Sequence, residues 1–130
     1  ITPDGYLPRE LIRETRALSY HNYSIGPLLM ISAFAKANGL DLRGENDDAM
    51  VRLASKLEAG LRNPKIFQEK TGFKQEQIDL RKKSRYAWLE PYCALYQCSP
   101  STEAWRRSIE PLSTYRLGGD LTQLFSGQLP

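Results

Sequence analysis

Thirteen consecutive positions from Ile25 to Ala37 hold only two polar side chains, Ser32 and Lys36. A surface helix confines its apolar residues to one stripe, so a helix apolar around its circumference has to be enclosed on several sides. The run therefore predicts an inner helix of a layered, all-α fold. Asn38-Gly39 follows it as a left-handed cap. The run stays well short of the roughly twenty apolar residues that cross a membrane. Gly26-Pro27 lies at its start, and a proline inside a helix clashes with the carbonyl four residues back, here Tyr23. The expectation is a helix that begins near Asn22 or Ser24, with Pro27 in its first turn. With 130 residues the chain makes one domain at most. A self-contained chain of that size buries about two-thirds of its unfolded surface.

Around this centre the other elements read in order. Pro3, Gly5 and Pro8 describe an opening loop, and Pro8 starts a short helix to about Thr15 with Leu11 and Ile12 inward. After Asn46, the positions Met50, Leu53, Ala54, Leu57 and Leu61 repeat at the i, i+3, i+4, i+7 spacing of a helix over about 47–62. Pro64 opens another to Lys70, with Ile66 and Phe67 inward and Gly72 beyond its end. Residues 73–85 are polar and poorly periodic. Their cluster Arg81, Lys82, Lys83 and Arg85 fits either a polyanion contact or a solvated face, and no role is assigned to it. Residues 86–96 read as a second buried helix bent by Pro91. Ser99 caps a further helix that carries Trp105 and Ile109 to about Glu110. The last twenty residues show no convincing helix. There the Tyr115-Arg116-Leu117-Gly118-Gly119 run reads as a loop closing over something or as a tail packed across helix ends.

Chemistry-bearing groups crowd into residues 16–23: Arg16, Tyr20, the chain's single histidine His21, Asn22 and Tyr23. Tyrosine and histidine also serve as half-buried packing residues, so crowding alone leaves site and scaffold open. The net charge of +3 suits a polyanionic partner and an ordinary surface equally. Cys93 and Cys98 are the chain's two cysteines. Their spacing matches neither a CxxC redox centre nor a zinc site. A local disulfide is the expected use and implies an oxidising compartment such as the bacterial periplasm, with a pair of reduced buried thiols as the alternative. An unbroken helix would hold the pair about 140° apart, so the disulfide requires the helix to loosen before Cys98. Signatures of nucleotide-binding, zinc-protease and serine-hydrolase sites do not occur, and no cofactor or metal is expected.

The run Arg16-Ala17-Leu18-x-Tyr20-His21-Asn22-Tyr23 resembles the signature of the mannuronate-specific alginate lyases. The resemblance continues through Asp4-Gly5-Tyr6-Leu7-Pro8-x-Glu10-Leu11, Ala37-Asn38-Gly39-x-Asp41-Leu42-Arg43, Ala87-Trp88-Leu89-Glu90-Pro91 and Tyr115-Arg116-Leu117-Gly118-Gly119-Asp120-Leu121, and so covers essentially the whole chain. It implies a periplasmic polysaccharide lyase built as an α/α toroid, of which residues 1–130 form one helical unit from the C-terminal part. The chain is accordingly expected to be a fragment, or one piece of a cleaved protein, soluble and with any export signal already gone. Expected partners are alginate and the upstream part of the same enzyme, with neither a nucleic acid nor a membrane span.

Eliminative cleavage of a polyuronate needs the C5 carboxylate neutralised, the C5 proton removed and the departing O4 protonated. An arginine fork matches a carboxylate and stabilises the charge that grows on it. A tyrosine moves the proton, and because a free phenol titrates near 10, a guanidinium beside it is wanted. Two pairs share a seven-residue spacing, Arg13 with Tyr20 and Arg16 with Tyr23. The resemblance selects the second, which makes Tyr23 the acid/base and Arg16 the neutraliser. It puts Tyr20, His21, Asn22 and Arg116 at the substrate, the first three also holding the segment in place. The family's catalytic histidine belongs to an Asn-Asn-His-Ser-Tyr-Trp run absent here, as is a catalytic lysine further upstream. The chain is therefore expected to hold only part of an active site. The rival readings are a non-catalytic helical protein that grips an acidic polysaccharide, and a helical nucleic-acid or protein interaction module.

Overall fold

In the computed structural model, which describes residues 1–127, the apolar run belongs to one unbroken helix, α2 (Ala17–Ala37). The expected restart near Asn22 does not occur, and Pro27 sits inside the helix. Gly26 explains part of this. Proline crowds the Cβ of the residue before it out of the helical region, and glycine has no Cβ to crowd. The remaining costs are the N–H that Pro27 does not offer to the turn before it and the crowding of its ring against the Tyr23 carbonyl.

Packing falls into two units. The first comprises Ile1–Ile25 and Gly44–Asp79, and the second Gly26–Arg43 with the described residues from Leu80.

In the first unit, α1 (Pro8–Leu11) has proline at its start but stops four residues before the expected Thr15. A 3-10 turn (Glu14–Arg16) replaces the rest, and Glu14 takes a left-handed φ of 52°. Helix α3 (Glu45–Arg62) follows. Asn46, Asp47 and Asp48 within it are left-handed, at φ of 51°, 51° and 55°, a conformation that short polar side chains tolerate best. The Arg52 guanidinium bridges back to them, donating to the carbonyls of Asn46 and Asp47. Regular helix therefore starts later than the sequence suggests, and Ala49, Leu53, Ala54, Leu57 and Leu61 form its buried face. Helix α4 (Lys65–Thr71) ends on Gly72, φ 79°, as expected. At the centre lie Phe67, Leu18, Leu53 and Leu57, all fully buried. A Cβ on Gly60 would come within 2.4 Å of the Phe67 ring and 3.0 Å of Leu18, so only glycine lets α3 approach this closely. Each such buried side chain is worth roughly 1.5–3 kcal/mol, against about 0–1 kcal/mol for an exposed ion pair such as Arg62 with Glu58. Apolar burial holds this unit together.

The second unit takes the rest of α2, burying Leu29, Ser32 and Ala33. The Ser32 hydroxyl donates to the Leu28 carbonyl and accepts from the Tyr96 hydroxyl at 3.1 Å. Ile31 and Phe34 are 56% and 64% exposed, so this part of the apolar run is enclosed on one side only. After a 3-10 turn (Lys83–Tyr86), helix α5 (Leu89–Tyr96) begins just before Pro91. The proline starts the helix rather than bending it, because a first-turn residue has no N–H partner to lose. Gln97, left-handed at φ 52°, loosens the backbone and brings Cys98 to a Cα–Cα distance of 4.7 Å from Cys93, with their sulfurs at bonding distance.

Helix α6 (Pro100–Ile109) starts at the expected cap, where Ser99 Oγ accepts the Thr102 N–H at 3.1 Å. Strands β1 (Ser113–Thr114) and β2 (Gly119–Asp120) then pair antiparallel around a 3-10 turn (Tyr115–Leu117). A short α7 (Leu121–Phe125) follows, where no helix was expected. Its cap is Asp120, whose carboxylate accepts the Gln123 N–H at 2.9 Å, and Leu121 and Phe125 anchor it in the core. Glu90, 2% exposed, pairs with Arg106 at 2.7 Å and accepts from the Thr122 hydroxyl, joining α5, α6 and α7.

Candidate active site

The segment that carries the candidate residues is fixed from behind at three points. Glu76 N–H donates to the Thr15 carbonyl at 2.8 Å. The Leu18 N–H, in the first turn of α2, donates to Gln75 Oε1 at 3.0 Å, and the same amide donates to the Glu14 carbonyl at 3.0 Å. Gln75 thus caps a helix from 57 positions away in sequence. The third point is His21, which has no exposed surface.

His21 Nε2 accepts the Leu7 N–H at 2.8 Å, which leaves Nδ1 as the donor to the Ala17 carbonyl at 2.8 Å. Its ring meets Phe67 and Tyr6 edge-on at 4.9 and 6.0 Å. Burial lowers its pKa below the usual 6.5, opposed by the Ala17 bond and the charge of Glu10. A neutral imidazole with both nitrogens engaged and no exposed surface cannot contact a substrate. The placement of His21 at the substrate is thereby corrected: it is a positioning residue that ties the opening loop to α2. Asn22 is also buried, at 8%.

On the outward side, Arg13 and Arg16 are exposed, Tyr20 is half-buried and Tyr23 is 50% exposed. Both guanidiniums lie over the ring of Tyr20, with Cζ at 4.8 Å for Arg13 and 5.8 Å for Arg16. Glu10 stands 3.6 Å from Arg13, so Arg13 already has an anionic neighbour. Arg16 ends the 3-10 turn, and Tyr23 follows seven positions on, in the second turn of α2. The structure thus presents guanidinium and phenol groups together from one short, rigid stretch. Two cations around the half-buried Tyr20 can hold an anion, and the exposed Tyr23 phenol further along α2 is a group able to move a proton.

Arg116 belongs to the second unit, on the turn between β1 and β2, and its Nε donates to the Tyr115 hydroxyl at 3.0 Å. Gly118 and Gly119 serve that turn, at φ of 99° and 114° with nothing near their missing Cβ. The close approach anticipated for this glycine pair occurs at Gly26 instead, where a Cβ would meet Leu117 Cδ1 at 2.8 Å. A cavity of about 280 Å³ in the second unit is lined by Glu90, Cys93, Cys98, Glu103 and Arg106 among others. Donor atoms of Cys93, Cys98 and Glu103 lie within 4.8 Å of one another, but sulfurs joined to each other supply no thiolate for a metal.

Comparison with known proteins agrees with this fold. Residues 1–67 match the family model described as Alginate lyase. The alginate lyase of Pseudomonas syringae pv. syringae is 51% identical over 125 residues, covering 96% of this chain and 33% of that protein. The alginate lyase of Cobetia marina is 49% identical with the same coverage. Among solved structures, alginate lyase A1-III of Sphingomonas species A1 superposes with a TM-score of 0.80 at 25% identity, covering 96% of this chain and 36% of that one. A histidine-to-alanine variant of that enzyme, complexed with tetrasaccharide, gives 0.78 at 26% identity. The fold is all-α and covers part of the α/α toroid of these neighbours. The chain belongs to the alginate lyase family. It spans about a third of the length of the curated relatives it matches.

Proposed function

We propose that this chain is the C-terminal portion of a longer polysaccharide lyase that cleaves poly-β-D-mannuronate by β-elimination, and that it supplies Tyr23 and Arg16 to the active site. Arg16 neutralises the carboxylate on C5, which makes the C5 proton easier to remove. Tyr23 Oη takes that proton. The electron pair of the C5–H bond becomes the C4–C5 double bond as the C4–O4 bond breaks, and the same tyrosine returns the proton to O4. The product carries a 4,5-unsaturated uronate at its new non-reducing end. Tyr20, which sits beneath both guanidiniums, steers them, Asn22 holds the segment, and Arg116 binds a further uronate. The observation that carries this reading is the anchoring of residues 16–23 from behind by Gln75 and His21 while Arg16 and Tyr23 stay accessible on the other side.

The Cys93–Cys98 pairing supports a periplasmic location, since such bonds persist in oxidising compartments. Unchanged mass after alkylation of the unreduced protein is expected, and addition of two alkyl groups would overturn the bond. The function itself is tested by mixing the full-length protein with polymannuronate and following ultraviolet absorbance of the new carbon–carbon double bond alongside new reducing ends. The two should rise in step. Binding without either signal would establish a non-catalytic polysaccharide-binding protein instead.

A further inference from the structure

Residues 80–86 hold four cations, Arg81, Lys82, Lys83 and Arg85, and no acid, while the whole chain has a net charge of only +3. The elimination chemistry uses none of them. Their loop is held in one shape. The Arg85 N–H donates to the Lys82 carbonyl at 3.0 Å. Buried Tyr86 turns back so that its hydroxyl donates to the Leu80 carbonyl at 2.9 Å, while its ring meets Trp105 edge-on at 5.1 Å. Closing the loop at both ends leaves Arg81, Lys82 and Lys83 exposed and Arg85 half-buried. Lys83 also donates to the Glu110 carbonyl at 3.3 Å.

Strand β1 packs against this turn. The chain then continues into Tyr115, 83% exposed, and Arg116, whose guanidinium lies 5.4 Å from the Tyr115 ring centroid. Two neighbouring acids are already engaged. Glu110 pairs with Arg106, and Asp120 caps α7. Two adjoining loops of the second unit therefore present five cations and one exposed aromatic face. A ligand fitting such a surface repeats a negative charge along its length and offers a flat, partly apolar face between charges.

We propose that the loop 80–86 and the Tyr115–Arg116 turn form an accessory binding surface for a long polyuronate, in which Arg81, Lys82, Lys83, Arg85 and Arg116 meet successive carboxylates and the Tyr115 ring lies against a sugar face. The inference rests on the reading of a uronate polymer as substrate. Each exposed contact is weak, and the surface gains its hold by engaging several carboxylates of one chain at once. Single-stranded nucleic acid fits less well, because a single exposed ring offers no platform for stacking successive bases.

The test uses the full-length protein carrying Lys82→Gln together with Lys83→Gln, with Lys82→Arg plus Lys83→Arg as the charge-retaining partner. With long polymannuronate, the glutamine variant should show KM raised about tenfold with kcat unchanged. Its plot of log affinity against log salt should be shallower than that of wild type. The arginine variant should behave as wild type. Unchanged KM and salt slope in the glutamine variant would overturn the proposal, as would equal loss in the arginine variant, which would mark a structural role. Equal lysine-dependent binding of duplex DNA, displacing the polymer, would overturn the polysaccharide assignment. If the wild-type protein binds the polymer through these lysines yet forms no double bond, the lyase reading fails and the surface stands. If it cleaves the polymer and the variants do not differ, the reverse holds.

Discussion

At the scale of single residues, the same stretch contains groups open to solvent and groups that face the core, and burial separates them. His21 belongs to the core. Replacing it in His21→Leu removes two buried hydrogen bonds, and the unmet backbone groups should destabilise the protein by about 2–4 kcal/mol. The pH response has a definite sign. Because burial lowers the folded pKa of His21 below its unfolded value near 6.5, its contribution is complete above that pH and is lost as the pH falls through the folded value. Urea titrations on either side of pH 6.5 should show wild type losing stability on acidification, and His21→Leu losing less. An equal slope in both proteins would contradict the neutral, buried assignment. In sequence, His21 and Tyr23 look alike as candidates. The distinction comes from the opening loop, whose Leu7 N–H reaches His21 Nε2, and no local spacing encodes that contact. Arg13 over Tyr20 agrees with the seven-residue spacing, whereas the placing of Arg16 over the same ring was invisible to a reading that pairs Arg16 with Tyr23.

At the scale of elements, what the sequence made legible was chiefly local. Ser99 as a cap, Gly72 as a stop and the buried face of α3 all follow from residue type and spacing. The errors came from partners distant in the chain or from local rules that a neighbour overrides. Gln75 caps α2 from another segment, and Pro27 is carried inside α2, where Gly26 before it at least has no Cβ to crowd. The short α7 was missed although Asp120 before Leu121 is an ordinary cap, because five residues give no measurable period. Tertiary pairing also decides the energetics here. Arg106 holds the nearly buried Glu90 and reaches Glu103 and Glu110 as well. These partners, Glu103 first, hold its guanidinium well above the ordinary arginine range, and Arg106 in turn holds the Glu103 carboxyl at about 2. Arg106→Ala strands the Glu90 carboxylate and should cost about 3–5 kcal/mol. Arg107→Ala, at a side chain 71% exposed, should cost less than about 1 kcal/mol. Thermal or urea unfolding of the two variants checks the contrast, and equal losses would contradict it.

At the scale of the whole molecule, length and exposed surface bear on how the apolar face is covered. It spans about a third of its relatives' length, and Ile31, Phe34 and Leu40 leave more than half of their surface exposed in the second unit. A hydrophobic dye should bind the isolated chain strongly and the full-length protein less. A monomeric, cooperatively folded chain that ignores the dye would show instead a self-sufficient domain. The central claim concerns what this part contributes to chemistry, and it is tested most directly by turnover of polymannuronate in the full-length protein with Tyr23→Phe, with Tyr20→Phe beside it. Tyr23→Phe keeps the ring and removes one hydroxyl from a half-exposed position, so stability should hardly change while turnover falls by about two orders of magnitude or more. Near-normal turnover in Tyr23→Phe, with Tyr20→Phe inactive, would contradict the account and transfer the proton to the Arg13 and Tyr20 pair.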